Sequence, residues 1–254
     1  MLPENVMRYI RPVFGRTNVM FISYPKSGRT WMRYAAGLAG VKMKFSHAGH
    51  GTSTVAEIGE AYSGLQKADL RSTNIFMFRN PLDTAVSLYF QVQKTDLAPG
   101  GDDYAEKIRK LERLGRLPPQ DINEFVLHPV WGCGQIAKFN RDWYDYFTSS
   151  RELTLQYEDM RKDPRAALQR VFDYVGARGR DVESIAATSS FEKMRNVELN
   201  DADAKQKYRL QGRRGSDDES MKVRRGLVKG YVDYLRPETI EAAAAIVRKQ
   251  GFEI

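Results

Sequence analysis

The sequence predicts an α/β fold of three layers, with a central, mainly parallel β-sheet flanked by helices. Three stretches carry that prediction. Residues 19–22, 74–78 and 153–157 are short, mostly apolar runs, and each passes through a polar turn into a helix-forming segment. Strands that alternate with helices in this way build parallel sheets, whose ligands bind in the crevice beyond the carboxyl ends of the strands. A chain of 254 residues is long enough for one sizeable core and short for two, so residues 1–254 are expected to form one domain.

The first strand, Val19-Met20-Phe21-Ile22, runs into Ser23-Tyr24-Pro25-Lys26-Ser27-Gly28-Arg29-Thr30-Trp31, and helix formers continue from Met32 to Leu38. At such a junction backbone N–H groups and the helix N-terminus converge, so an anion is favoured by unpaired donors and by the helix dipole. Lys26 adds a full charge there. Gly28 lets the backbone approach a ligand closely, and Ser27 and Thr30 can cap the helix or donate hydroxyls to oxyanions. The turn reads as a phosphate cradle. It is not the usual Gly-x-x-x-x-Gly-Lys-Ser/Thr loop, because Lys26 precedes Gly28 and the place of the first glycine is not filled.

Residues 41–47 alternate apolar and polar side chains, which predicts a half-exposed strand ending at His47. Residues 48–54, with His50, are small and polar and suit a loop walling an open site. The second buried strand, 74–78, ends at Arg79. Asn80 as N-cap, Pro81 at the first helical position and Asp83 in the first turn then start a helix that carries Ser87. Residues 99–103 read as a loop, 104–114 as an exposed helix and Leu117-Pro118-Pro119 as a break. Ile136, Phe139, Trp143 and Phe147 mark an amphipathic helix whose aromatics belong to the core. The strand 153–157 leads to Glu158-Asp159; Asp163-Pro164 opens a helix that Gly176 closes. Residues 196–222 are nearly devoid of apolar side chains and dense in charge, which predicts a flexible excursion. The last helix runs from Pro237 to Gln250 and stops at Gly251.

Forty Lys and Arg against 32 Asp and Glu give a net charge of +8, which favours an anionic ligand or an acidic substrate. The basic residues form no long run and match no nucleic-acid motif, so nucleic acid is not an expected partner. Cys133 is the single cysteine and excludes an internal disulfide or a thiolate metal cluster. Residues 1–16 hold charges and prolines where a secretory segment needs an apolar core, and no later run reaches membrane-spanning length. A soluble, cytoplasmic protein is expected; oligomeric state stays open.

Tyr24-Pro25-Lys26-Ser27-Gly28-Arg29-Thr30-Trp31 resembles the 5′-phosphosulfate loop of the cytosolic-type sulfotransferases, which use 3′-phosphoadenosine 5′-phosphosulfate (PAPS). Arg29 stands where that family usually has Thr. The resemblance recurs in order along the chain. Arg79-Asn80-Pro81-Leu82-Asp83-Thr84-Ala85-Val86-Ser87 is similar to the family's 3′-phosphate motif, in which the arginine and the last serine bind the phosphate. A guanidinium grips a phosphate bidentately and a hydroxyl adds a hydrogen bond, so the residue types suit that role. Tyr157, Ser189 with Ser190 and Phe191, and Met194 resemble segments lining the adenine pocket, with Trp31 and Phe191 clamping the base. Arg224-Arg225-Gly226 resembles a later Arg-Lys-Gly motif on the 3′-phosphate, and Lys229-Gly230-Tyr231 departs from the Gly-Asp-Trp that usually follows.

The resemblance implies a P-loop-like fold and in-line transfer of a sulfuryl group from PAPS to a hydroxyl or amine of a small molecule or glycoconjugate. 3′-Phosphoadenosine 5′-phosphate (PAP) is then the second product. The catalytic candidates are Lys26, stabilising charge on the departing phosphate, and His47, taking the acceptor's proton, with His50 its rival. No metal is expected: the transferred group carries less charge than a phosphoryl group, and a cation, Arg79, ends the strand where a magnesium site would want an aspartate. The alternatives are a P-loop-type kinase or NTPase using ATP with magnesium, and a nucleotide-binding module without catalysis.

Overall fold

Apolar side chains on both faces of a strand call for cover on both sides, and the chain supplies it. The computed structural model describes residues 19–47, 73–97, 103–208, 223 and 225–252, with the backbone alone at 204 and 205. Four strands, β1 (Val19–Ser23), β2 (Met43–Ser46), β3 (Thr73–Phe78) and β4 (Leu153–Gln156), form one sheet in the order β2-β1-β3-β4. All pairings are parallel: Phe21 lies opposite Phe45 and Ile75, and Phe78 opposite Gln156. The inner strands β1 and β3 are buried almost throughout, which explains their unbroken apolar sequences. β2 is an edge strand, partly exposed along its length, as its alternation predicts.

The helices are α1 (Arg29–Leu38), α2 (Pro81–Gln91), α3 (Tyr104–Arg113), α4 (Ile122–Leu127), α5 (Cys133–Ser149), α6 (Tyr157–Lys162), α7 (Pro164–Tyr174), α8 (Val182–Thr188), α9 (Phe191–Asn200), α10 (Ala202–Lys207) and α11 (Pro237–Lys249). α2 continues into a π-helical turn, Val92–Asp96, and a 3₁₀ turn spans Gly230–Asp233. The strand period of two divides the core. Phe76 and Phe78 pack with Leu82 and Val86 of α2 and with Phe139 and Phe147 of α5. Ile75 and Met77, with Phe21, pack on the other face against Met32 of α1 and Leu168 and Phe172 of α7. Each such side chain, fully buried, contributes about 1.5–3 kcal/mol. The three layers are thus those the sequence predicts.

Local chemistry explains most helix starts. The Asn80 side chain accepts from the N–H groups of Leu82 and Asp83 at 2.9 and 3.2 Å, with Pro81 behind it. Asp163 caps α7 in the same manner, accepting from the Ala166 N–H at 2.9 Å. Cys133 is buried, and burial pushes its thiol up to about 12, so it behaves as a small apolar side chain.

Four expectations change. Neither Ser27 nor Thr30 caps α1: its N-cap is Gly28, with φ 99°, and no side chain caps it. The left-handed turn at Lys26 (φ 69°) and Gly28 sends the Ser27 side chain into the interior instead. β4 stops at Gln156, and Tyr157 opens α6. The helix over 104–113 is not exposed all round: Leu111 is fully buried, and Tyr104 and Ile108 are half-buried against the core. The stretch 196–222 begins as the end of α9 and then α10. Glu198, read as one of its solvated charges, is buried and accepts from the Val223 N–H at 2.8 Å. Tyr208 packs edge-on against Tyr34 at 4.7 Å. Residues 209–222, 48–54 with His50, 99–102 and Arg224 lie outside the described residues.

Candidate functional site

Four parallel strands end on one side of the sheet, and each is followed by a residue with chemistry to offer. β1 runs into the Tyr24 to Gly28 turn, β2 into His47, β3 into Arg79 and β4 into Tyr157. These positions open on one pocket of about 1210 Å³, part of it open to solvent.

The cradle forms its floor. No side chain caps the first turn of α1 and no acidic residue stands in it, so its positive end faces the pocket unneutralised. Gly28 is required twice over: its φ is positive, and a Cβ there would lie 2.6 Å from Cδ2 of Tyr157. Lys26 lines the pocket and donates from Nζ to Oε1 of Gln91 at 3.0 Å. Arg29, Thr30 and Trp31 line it too, whereas the Ser27 hydroxyl is buried behind it and has no hydrogen-bond partner.

His47 is buried to 8% exposure at the pocket edge, with Nδ1 2.9 Å from the Ser23 carbonyl oxygen. A carbonyl only accepts, so Nδ1 carries the hydrogen, and in the neutral ring Nε2 is the basic nitrogen. Placing that carbonyl at the end of β1, beside β2, is what orients the ring.

Arg79 is held from every side. Its guanidinium donates to the carbonyls of Lys26 (3.2 Å) and Leu227 (3.0 Å) and lies 4.4 Å from the Tyr157 ring centroid. The Asn140 amide donates to the Arg79 carbonyl at 3.1 Å, and Glu158 accepts from the next N–H, that of Asn80, at 2.9 Å. Its Nε is buried and has no hydrogen-bond partner. Ser87, two turns along α2, lines the same pocket.

The far wall is aromatic. The Trp31 indole donates to the Ser189 hydroxyl at 3.3 Å and meets Tyr157 edge-on at 6.2 Å. Phe191 and Met194 line the pocket beside them. Gly226, with φ 63°, lies so close that a Cβ would come within 2.5 Å of the Phe191 ring. Arg225 lines the pocket and pairs with Asp233 at 2.7 Å while donating to the Tyr234 hydroxyl at 3.1 Å.

Several pocket residues escaped the sequence. Asp83, read only as a favourable first-turn acid, accepts from the N–H groups of Lys229 and Tyr231 at 2.8 and 3.1 Å and fixes that segment. Burial, and then the nearby Asp83 charge, push the Tyr231 phenol up. Arg161 lies 5.8 Å from the Phe191 ring. Gln91 had a signal: it sits four residues after Ser87, hence on the same helix face. Among the described residues, no group of three or more His, Cys, Asp or Glu could hold a metal ion, and no helix is long and apolar enough to cross a membrane.

The chain is similar to known proteins. Sulfotransferase 1E1 of Bos taurus is 24% identical over 124 residues, 48% of this chain and 37% of the relative. Flavonol 4′-sulfotransferase of Flaveria chlorifolia is 24% identical over 224 residues, covering 72% of this chain and 65% of the relative. The matches therefore span less than two thirds of the length of either relative. The fold is similar to that of mouse sulfotransferase SULT7A1 complexed with PAP, at a TM-score of 0.59 and 17% identity, covering 97% of this chain and 88% of that one. The model of the sulfotransferase domain matches residues 62–251. With three quarters of its length under that model, the chain belongs to the sulfotransferase domain family.

Proposed function

We propose that the protein is a PAPS-dependent sulfotransferase acting on a hydroxyl or amine of a small molecule or glycoconjugate. The observation that carries the reading is the convergence of Lys26, His47 and Arg79, from three strand ends, on one pocket with an aromatic wall. The pocket suits such a donor on grounds of its own. Arg79 Nε, a buried donor on a lining residue, lacks a partner, and Gly28 and Gly226 let the Tyr157 and Phe191 rings close tightly on the backbone that borders the pocket.

When bound, PAPS supplies a sulfuryl group already joined to a phosphate leaving group. Lys26 and the backbone N–H groups from Gly28 to Trp31 would hold its 5′ side. Lys26 brings a fixed charge that needs no reorganisation during reaction. Arg79, Ser87 and the Arg224 to Gly226 segment would hold the 3′-phosphate. Trp31, Tyr157 and Phe191, with Ser189 and Met194, would enclose the base, whose flat face suits aromatic partners. His47 takes the acceptor's proton on Nε2, and its Nδ1 bond to Ser23 stabilises the cation that forms. A flavonol acceptor in a relative's name supports a small, hydroxyl-bearing acceptor here. A reducing, cytoplasmic setting belongs to the proposal and is supported by the single, buried cysteine.

Release of PAP from PAPS, measured over a panel of phenols, flavonols and sugars, tests the reading. The wild type is expected to turn over at least one acceptor. Lys26→Ala should lower kcat by about 10²–10³, as loss of a preorganised charge does elsewhere; unchanged turnover would remove Lys26 from the mechanism. His47→Ala should lower kcat by about 10²–10⁴ and leave PAP affinity nearly unchanged. If His50→Ala has that effect instead, the base is His50.

A further inference from the structure

Beyond Lys26 itself, we propose that Gln91 is the positioning residue for its ammonium group, with Asp96 fixing the orientation of the Gln91 amide. The inference rests on the proposed function. Lys26 Nζ is a donor only, so the Gln91 oxygen must face it, and that bond measures 3.0 Å. The amide nitrogen then faces the other way and donates to Oδ2 of Asp96 at 3.3 Å. Asp96 is only 7% exposed and belongs to the π-helical turn, an insertion of the kind that recurs at functional sites. Its carbonyl accepts from Lys107 Nζ at 3.4 Å, which ties the turn to α3.

The choice of a neutral amide has a consequence. A carboxylate at position 91 would hold Nζ equally well and would cancel part of the charge that the cradle presents. An amide holds it and leaves the charge whole. The charged and titratable groups that line the pocket with this chain or bond to it are Lys26 from the β1 turn, Arg29 on α1, His47 after β2, Arg79 after β3, Asp83 on α2, Asp96 itself, Lys107 on α3, Tyr157 and Arg161 on α6, and Arg225 and Tyr234 on either side of the 3₁₀ turn. None of them other than Lys26 and Asp96 shares a hydrogen bond with the Gln91 side chain among the described contacts.

The test is PAP affinity by calorimetry, and turnover where an acceptor is known, across pH 5.5 to 8.5. Gln91→Glu should weaken PAP binding at least tenfold at every pH in this range, because a carboxylate paired with Lys26 stays ionised. Gln91→Leu should lower kcat by about tenfold or more with little change in PAP affinity, as misplaced charge does. In a Lys26→Met background, Gln91→Glu should no longer change PAP affinity. Asp96→Asn can still accept from the amide and should stay near wild type, whereas Asp96→Leu should repeat the Gln91→Leu defect. A Gln91→Glu variant that binds PAP as the wild type does, or whose defect persists without Lys26, would reduce Gln91 to a packing residue and overturn the inference alone. Wild-type protein that fails to bind PAP would overturn the proposed function and this inference with it.

Discussion

Gly28 shows how much one position can be asked to do. It takes a φ of 99°, starts α1 without a side-chain cap, and lets Tyr157 approach to where a Cβ would be. Gly28→Ala must both strain the backbone and displace that ring, so it should cost about 1–3 kcal/mol in denaturant unfolding and abolish PAP binding. Stability and PAP affinity near wild type would mean that the cradle is looser than drawn. This residue was legible because its chemistry is contiguous: Lys26, Ser27 and Gly28 sit between an apolar run and a helix, and local order suffices to place them. Gln91 and Asp83 were not legible in the same way. Their partners lie 65 and 146 to 148 residues away, and only the folded sheet brings those pairs together. Ser27 was misjudged as a cap because a serine before a helix usually is one; the left-handed backbone at Lys26 turned it inward.

Helix α2 ties the cradle, the Arg79 junction and the later 223–231 segment into one unit, and its start is the point to probe. Asn80→Ala removes both cap hydrogen bonds and should cost about 0.5–2 kcal/mol of stability, read from the denaturation midpoint. Asp83→Ala should instead leave α2 intact and release Lys229 and Tyr231, lowering PAP affinity more than stability. A second junction responds to pH. At the end of α4, His128 accepts on Nδ1 from the N–H groups of Val130 and Trp131 at 3.1 and 3.3 Å, and burial lowers its pKa from the ordinary 6.5. Its folded pKa lies below its unfolded one, so its contribution is complete above about pH 6.5 and is lost as pH falls through the folded value. Unfolding measured across that window should therefore show stability falling with pH, and His128→Asn should flatten the slope; an identical slope in the variant would assign it to other groups. Elements with strong periodicity and caps, such as the helix after Asp163-Pro164, read correctly from sequence. The stretch 196–208 did not, because its charges suited both a solvated chain and a helix, and the deciding contacts are tertiary: Glu198 to the Val223 N–H and Tyr208 against Tyr34.

At the scale of the whole molecule, two apolar cores clamp a parallel sheet, and the ends of its strands are left to do chemistry. That division made the architecture readable: the apolar runs at 19–22 and 74–78 suit only a sheet covered on both faces, and the edge strand over 153–156 shows itself by alternating apolar and polar residues. The net charge of +8 suits an anionic ligand and predicts that PAP affinity falls as salt is raised, since exposed charges are screened within about 10 Å at 0.1 M. The acceptor was not legible, because loops that line such a pocket carry no period and no fixed spacing. Donor binding needs no acceptor, so thermal unfolding with PAP, in the presence of EDTA, beside ATP with magnesium is the measurement to make first. Ligand at about a hundred times its Kd should add roughly 2.7 kcal/mol, and the midpoint should rise on the order of 5–10 °C with PAP whether or not metal is chelated. A midpoint that PAP leaves unchanged, and that rises only with ATP and magnesium, would contradict the sulfotransferase reading.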